Sequence, residues 1–182
     1  MGKGTTMLKN VKLILSSALL CGLVTVQADA RGLLRGRVVR RNANGGVTRT
    51  VGAAAKGPKG GSAAKSHVLT TDGQGNATRT TVGTAQGPNG GTVQRNSTTS
   101  VSSNGAVSHQ GTITAQSAQG GSLQSTGNYS RTQPGNGTAT RTTEATGANG
   151  NSYQGSTTVT KGSGVQHTGT CKDGSGNVIP CR

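Results

Sequence analysis

Glycine recurs at Gly45, Gly60, Gly75, Gly90, Gly105, Gly120, Gly135 and Gly150, once every fifteen residues without slippage. A fixed period of that kind means one structural unit used repeatedly, and it constrains the fold more than any other feature of the chain. The turns at alternate beats differ in kind. Gly57-Pro58-Lys59-Gly60-Gly61, Gly87-Pro88-Asn89-Gly90-Gly91, Ser117-Ala118-Gln119-Gly120-Gly121 and Gly147-Ala148-Asn149-Gly150-Asn151 form one series. Asn44-Gly45, Asp72 to Asn76, Ser103-Asn104-Gly105 and Pro134 to Gly137 form the other. The unit is therefore thirty residues long and consists of two half-units. Pro, Asn and Gly supply the fixed φ and the positive-φ positions that tight turns require.

Between turns lie segments of about ten residues rich in Thr, Val and Ser, which read as strands. Val107, His109, Gly111, Ile113 and Ala115 alternate with Ser108, Gln110, Thr112 and Thr114, the period-2 pattern of a sheet. Val93 and Val101 fall on one face by the same reasoning, as do Leu123 and Tyr129. No apolar period of 3.6 residues appears, and glycine and β-branched residues throughout disfavour helix. The expected fold is all-β, an elongated repeat of fifteen-residue strand–turn units. Two arrangements fit: an antiparallel meander in which thirty residues make a hairpin, and a β-solenoid with small residues inside. The turn chemistry leans toward the meander.

Composition supports a competing reading, a largely disordered chain. After residue 30, Leu, Ile and Val number 18 of 152 residues, Phe and Trp are absent, and Tyr129 and Tyr153 are the only aromatics. That is below the fraction of about 20% at which high net charge favours disorder. A single half-unit buries one or two large apolar side chains, and ordering it costs on the order of 20 kcal/mol. Only neighbours sharing a backbone ladder can fold.

The N-terminus has its own logic. Lys3, Lys9 and Lys12 precede the apolar run Leu13–Val26, and Ala28-Asp29-Ala30 offers small residues for cleavage. Residues 1–30 therefore read as an export signal, with Arg31 the first mature residue. The run is too short and too interrupted by Ser16, Ser17, Gly22 and Thr25 for a membrane span. Cys21 is a poor lipidation site because Leu20 precedes it. Residues 31–43 read as a basic N-terminal arm, 44–164 as the repeat region, and 165–182 as a C-terminal cap. Arg40-Arg41 is also a dibasic processing signal that would make residues 31–41 a propeptide. An exported chain left with one cysteine pair is expected to close it, so Cys171 and Cys181 should form a disulfide.

Charge is lopsided: 19 Lys and Arg against 4 Asp and Glu, a formal +15. Arg31, Arg35, Arg37, Arg40 and Arg41 concentrate in the arm, while Arg49, Arg79 and Arg141 recur in Thr-Arg-Thr contexts. Arg49 and Arg79 are thirty residues apart, His109 holds the matching place in the next unit, and Arg141 arrives two residues late. On a stacked sheet such positions form a row. These eight arginines are the candidate polyanion-binding residues, for DNA, acidic polysaccharide or lipopolysaccharide, with strong salt dependence. The near absence of aromatics argues against base-level readout and hence against sequence-specific nucleic-acid binding.

Catalytic chemistry is poorly supported. Asp72 and Asp173 stand alone, no spacing pairs an acid with a base, and no strained nucleophile turn or phosphate loop is present. His67, His109 and His167 fall at unrelated phases of the repeat, and no metal-ligand spacing accompanies them. The chain reads as a non-enzyme with no cofactor and no metal. Thr-x-Thr segments also occur in insect ice-binding β-solenoids, and the Gly, Ser, Asn, Gln and Thr content is similar to that of curli-type fibre subunits. Neither spacing is reproduced, so no family is assigned. The expected role is a structural or adhesive repeat protein, secreted, at a cell surface or in the matrix (or in a periplasm), associating with itself edge to edge. The alternative is a monomeric binder of extracellular polyanions.

Overall fold

The computed structural model of the chain describes residues 25–28, 32–132 and 135–181. It is one antiparallel sheet in which every strand pairs with the next in sequence. The strands are β1 (Thr25–Ala28), β2 (Leu33–Arg41), β3 (Val47–Lys56), β4 (Ser62–Thr71), β5 (Ala77–Gln86) and β6 (Thr92–Val101). They continue as β7 (Val107–Gln116), β8 (Ser122–Arg131), β9 (Gly137–Thr146), β10 (Ser152–Thr160), β11 (Gly164–Lys172) and β12 (Val178–Ile179). The fold is thus the meander, and the solenoid arrangement is not adopted.

The fifteen-residue beat has a simple origin. β3 through β9 are ten residues each, and five-residue loops join them. In the loop at Gly87, the Gly87 N–H donates to the Gly91 carbonyl at 2.7 Å and the Gly90 N–H donates back to the Gly87 carbonyl at 3.1 Å. The same two bonds recur in loops starting at Asn42, Gly57, Ser102, Ser117, Thr132, Gly147 and Asp173. The fourth loop residue must take a left-handed conformation to return the chain, as Gly90 does with φ of 92°. Each beat glycine occupies that place, and L-residues with a Cβ pay for it sterically.

Register is as regular as the turns. Arg37 pairs with Val51, Val51 with His67, His67 with Thr81 and Thr81 with Ser97, so residues thirty apart share a row. No stagger accumulates from strand to strand. Closing a sheet into a barrel needs such a stagger, so this one stays open. At about 4.8 Å per strand it is about 55 Å wide, and each strand is about 34 Å long.

One layer cannot enclose a core. Val38 is the only buried hydrophobic residue among those described, and no side chain is fully buried. Thr81 and Ser125, both polar, are as buried as Val38. The hydrogen-bonded ladder and short cross-strand contacts therefore take the place of a packed interior.

Two segments depart from the sequence expectation. Leu33–Arg41 is not a free arm: it is β2, paired along its whole length with β3. The expected cap reaches less far than its role requires. β12 covers only Cys171 and Lys172 of β11, leaving Gly164–Thr170 exposed at the sheet edge. Cys171 and Cys181 are bonded, with Cα atoms 5.4 Å apart, as the cysteine count implies. Of the expected signal segment, only Thr25–Ala28 falls among the described residues, pairing as β1 with Leu34–Arg37.

Candidate polyanion-binding face

Residues directly opposite in an antiparallel pair project to the same side, so the register sorts every strand residue onto one of two faces. One face carries five cross-strand rows. The first runs unbroken from Leu33 through Ala55, Ala63, Ala85, Val93, Ala115, Leu123, Ala145, Tyr153 and Cys171 to Ile179. Every member is apolar, and a groove runs along it past Val93, Leu123, Tyr153 and Ile179. The next row contains Arg35, Lys65 and Arg95, and the one after it Arg37, His67 and Arg141. The fourth contains Arg49, Leu69, Arg79, His109 and Tyr129, and the fifth Arg41, Val101, Val107 and Arg131.

The opposite face is different in kind. From β5 to β10 its rows are Thr, Ser, Asn and Gln almost throughout, such as Thr80, Thr98, Gln110, Asn128, Thr140 and Thr158. Its strand-borne ions are Arg40, Lys56, Lys172 and Glu144. Hydroxyls contact across it at 3.4 Å in the pairs Thr48–Thr70, Thr78–Ser100 and Thr112–Thr126.

Candidate residues separate accordingly. Arg35, Arg37, Arg41, Arg49, Arg79 and Arg141 share the first face. Arg40 lies on the other, and Arg31 lies outside the described residues. Lys65 joins the first face, and so do Arg95 and Arg131, unanticipated because they sit outside Thr-Arg-Thr contexts. Arg141, two residues late, moves one row along and keeps its face, because side chains alternate with period two. No acidic side chain occurs on that face among the described residues: Asp72 and Asp173 sit in loops and Glu144 on the opposite face. It is basic and uncompensated.

The histidines, which look unrelated along the chain, also gather here. Each stands directly opposite a threonine and contacts its hydroxyl through Nδ1: His67 with Thr81 at 2.8 Å, His109 with Thr99 at 2.7 Å and His167 with Thr157 at 2.8 Å. Arg79 Nη2 donates to His67 Nδ1 at 3.2 Å, which requires that nitrogen to be unprotonated. Burial, then the charges of Arg79 and Lys65, lower the His67 pKa from its ordinary value. Arg141 Nε donates to Ser125 Oγ at 2.9 Å, and Ser125 in turn donates to the Thr142 carbonyl at 3.0 Å. These bonds fix the orientation of two arginine side chains without neutralising them.

Aromatic rings cover glycines on the same face. The Tyr153 ring lies over Gly155 and Gly169, and the Tyr129 ring over Gly137. This shields backbone that glycine leaves bare.

Among the described residues no three His, Cys, Asp or Glu side chains gather to hold a metal, and no helix is long and apolar enough to cross a membrane. No protein-family model, curated protein or solved structure matches the chain.

Proposed function

We propose that this is a secreted structural and adhesive protein of a cell surface or extracellular matrix, which associates with itself edge to edge and performs no catalysis. The observation that carries the reading is the open edge of β11. Gly164–Thr170 is a row of exposed backbone on an unstaggered sheet, the arrangement that templates pairing with another chain. Export adds a second edge. Cleavage after Ala30 removes β1 and leaves the outer side of β2 unpaired. Two different open edges make association head-to-tail, and such contacts propagate instead of closing. The Cys171–Cys181 disulfide is compatible with an extracellular location. The test is sedimentation velocity of the exported, oxidised chain across concentration, in salt high enough to screen charge. Mass that grows with concentration supports assembly; a monomer at every concentration overturns it.

A second reading, binding of extracellular polyanions, is favoured by a separate observation: the segregation of Arg35, Lys65, Arg79, Arg95 and Arg141 on a face that carries no acid among the described residues. Such binding falls steeply as salt rises, whereas strand pairing at an edge does not. Retention on an immobilised polyanion at low salt, lost after a few-fold increase, supports it.

A further inference from the structure

The same face that holds the cations holds most of the exposed large hydrophobic side chains. Leu69, Val93, Val101, Leu123, Val159 and Val165 lie on it, against Val82 and Val178 on the other. Val93 is 44% exposed and Leu123 37%. The two chemistries are arranged in register. Leu33 and Arg35, Ala63 and Lys65, and Val93 and Arg95 are neighbours two residues apart on alternate strands, so positive charge runs beside the β2–β6 half of the apolar row, while Ser125 and Gly155 hold the matching places beside Leu123 and Tyr153. Ala55, Ala85, Ala115 and Ala145 fill the intervening strands of that row.

We propose that this face docks on an anionic lipid surface, with Val93, Leu123 and Tyr153 entering the boundary between headgroups and acyl chains and Arg35, Lys65 and Arg95 meeting lipid phosphates. The inference rests on the polyanion reading and names its partner. Charge selects the occupant. A second copy of this chain laid face to face would set these cations against each other with no acid to offset them. A soluble polyanion would satisfy the charges and leave the apolar row in water. A lipid surface satisfies both, because long basic side chains keep their heads at the phosphates while apolar neighbours sink below. The hydroxyl and amide face is left toward solvent.

The test is co-sedimentation of the exported, oxidised chain with vesicles of phosphatidylcholine, alone or with a minor fraction of phosphatidylglycerol. Binding to heparin and to duplex DNA is measured alongside. Binding is expected only to the anionic vesicles, weakening roughly fivefold for each of Lys65→Gln and Arg95→Gln. The double variant Val93→Ser/Leu123→Ser is expected to weaken vesicle binding about tenfold or more and leave heparin binding unchanged. Val82→Ser, on the opposite face, should change neither, and far-UV circular dichroism of each variant checks that the strands persist. Tyr153→Trp supplies a depth reporter, whose emission should shift to the blue on anionic vesicles. Equal binding to heparin and vesicles, with Val93→Ser/Leu123→Ser indifferent, would overturn the lipid assignment and keep the polyanion reading. No binding to vesicles, heparin or DNA would overturn both. Equal binding to neutral and anionic vesicles would overturn the role given to the cations.

Discussion

Arg49 and Arg79 stand in one cross-strand row on either side of Leu69, each its direct partner. Two strand spacings separate them, about 10 Å, so both reach the same extended anion. Arg49→Gln/Arg79→Gln is expected to leave the fold intact and to reduce the slope of log affinity against log salt for duplex DNA by about 2. Lys56→Gln/Lys172→Gln removes the same charge from the opposite face and should leave that slope unchanged. An equal effect of the two pairs would show that net charge, and not the face, governs binding.

The Tyr153 ring occupies the space in which a Cβ at Gly155 would stand. Gly155→Val is expected to lower stability by about 1–3 kcal/mol in urea unfolding, because the ring must leave both Gly155 and Gly169. The Tyr153 hydroxyl lies 3.5 Å from His167 Nε2, so Tyr153→Phe should cost about 0.5 kcal/mol or less. A loss in Tyr153→Phe as large as that in Gly155→Val would show instead that the hydroxyl, the atom nearest the Gly155 Cβ position, carries the contact.

Two glycines should fail for different reasons. Gly90 has open space around it and a φ of 92°, so Gly90→Ala is expected to cost about 1–2 kcal/mol through backbone strain alone. Gly46 has an ordinary φ, but a Cβ there would collide with the backbone carbonyl of Thr71, the last residue of β4, and with the Cα of Asp72 that opens the neighbouring loop. Gly46→Ala should therefore destabilise comparably or more, and hydrogen exchange should quicken in both the Asn42–Gly46 and Asp72–Asn76 loops.

Acid should loosen the sheet in two windows. The Asn177 side-chain amide first, then the Asn177 and Ser175 N–H groups, hold the Asp173 carboxyl below its ordinary 3.8. The Asn76 side chain and the Gln74 N–H do the same for Asp72. A carboxyl depressed on folding contributes stability that is present above 3.8 and lost as pH falls through its lowered value. His67 is also depressed, from 6.5, so its contribution is present above 6.5 and lost on acidification below it. Urea midpoints should fall with pH in both windows. His67→Gln should flatten the upper one and Asp72→Asn/Asp173→Asn the lower.

The beat was legible because a constant strand length and a loop with one obligatory positive-φ residue must repeat together. The rows of like phase were legible too: Arg49, Arg79 and His109 are thirty apart, and an unstaggered register keeps them aligned. His67 and His167 were not, because alternate strands run in opposite directions and a shared row becomes a reflected position along the chain. The strand Leu33–Arg41 was hidden by its arginines and by the lack of a preceding beat. Asp72 to Asn76 and Asp173 to Asn177 share the pattern Asp-Gly-x-Gly-Asn and the same backbone bonds to the Asp side chain, although Gly73 is left-handed and Gly174 is not. The signal was present, although no fixed multiple of fifteen separates the two. The reach of the C-terminal cap depended on the shorter loop after Thr160 and on how little of β11 the disulfide-closed segment covers.

The self-association claim turns on the exposed edge of β11, so amide hydrogen exchange across Gly164–Thr170 tests it most directly. The chain should be measured at rising concentration with the central strand β6 as internal reference. Protection that grows with concentration along β11 and stays constant in β6 is the expected result. Exchange along β11 that is fast and independent of concentration would contradict edge-to-edge assembly.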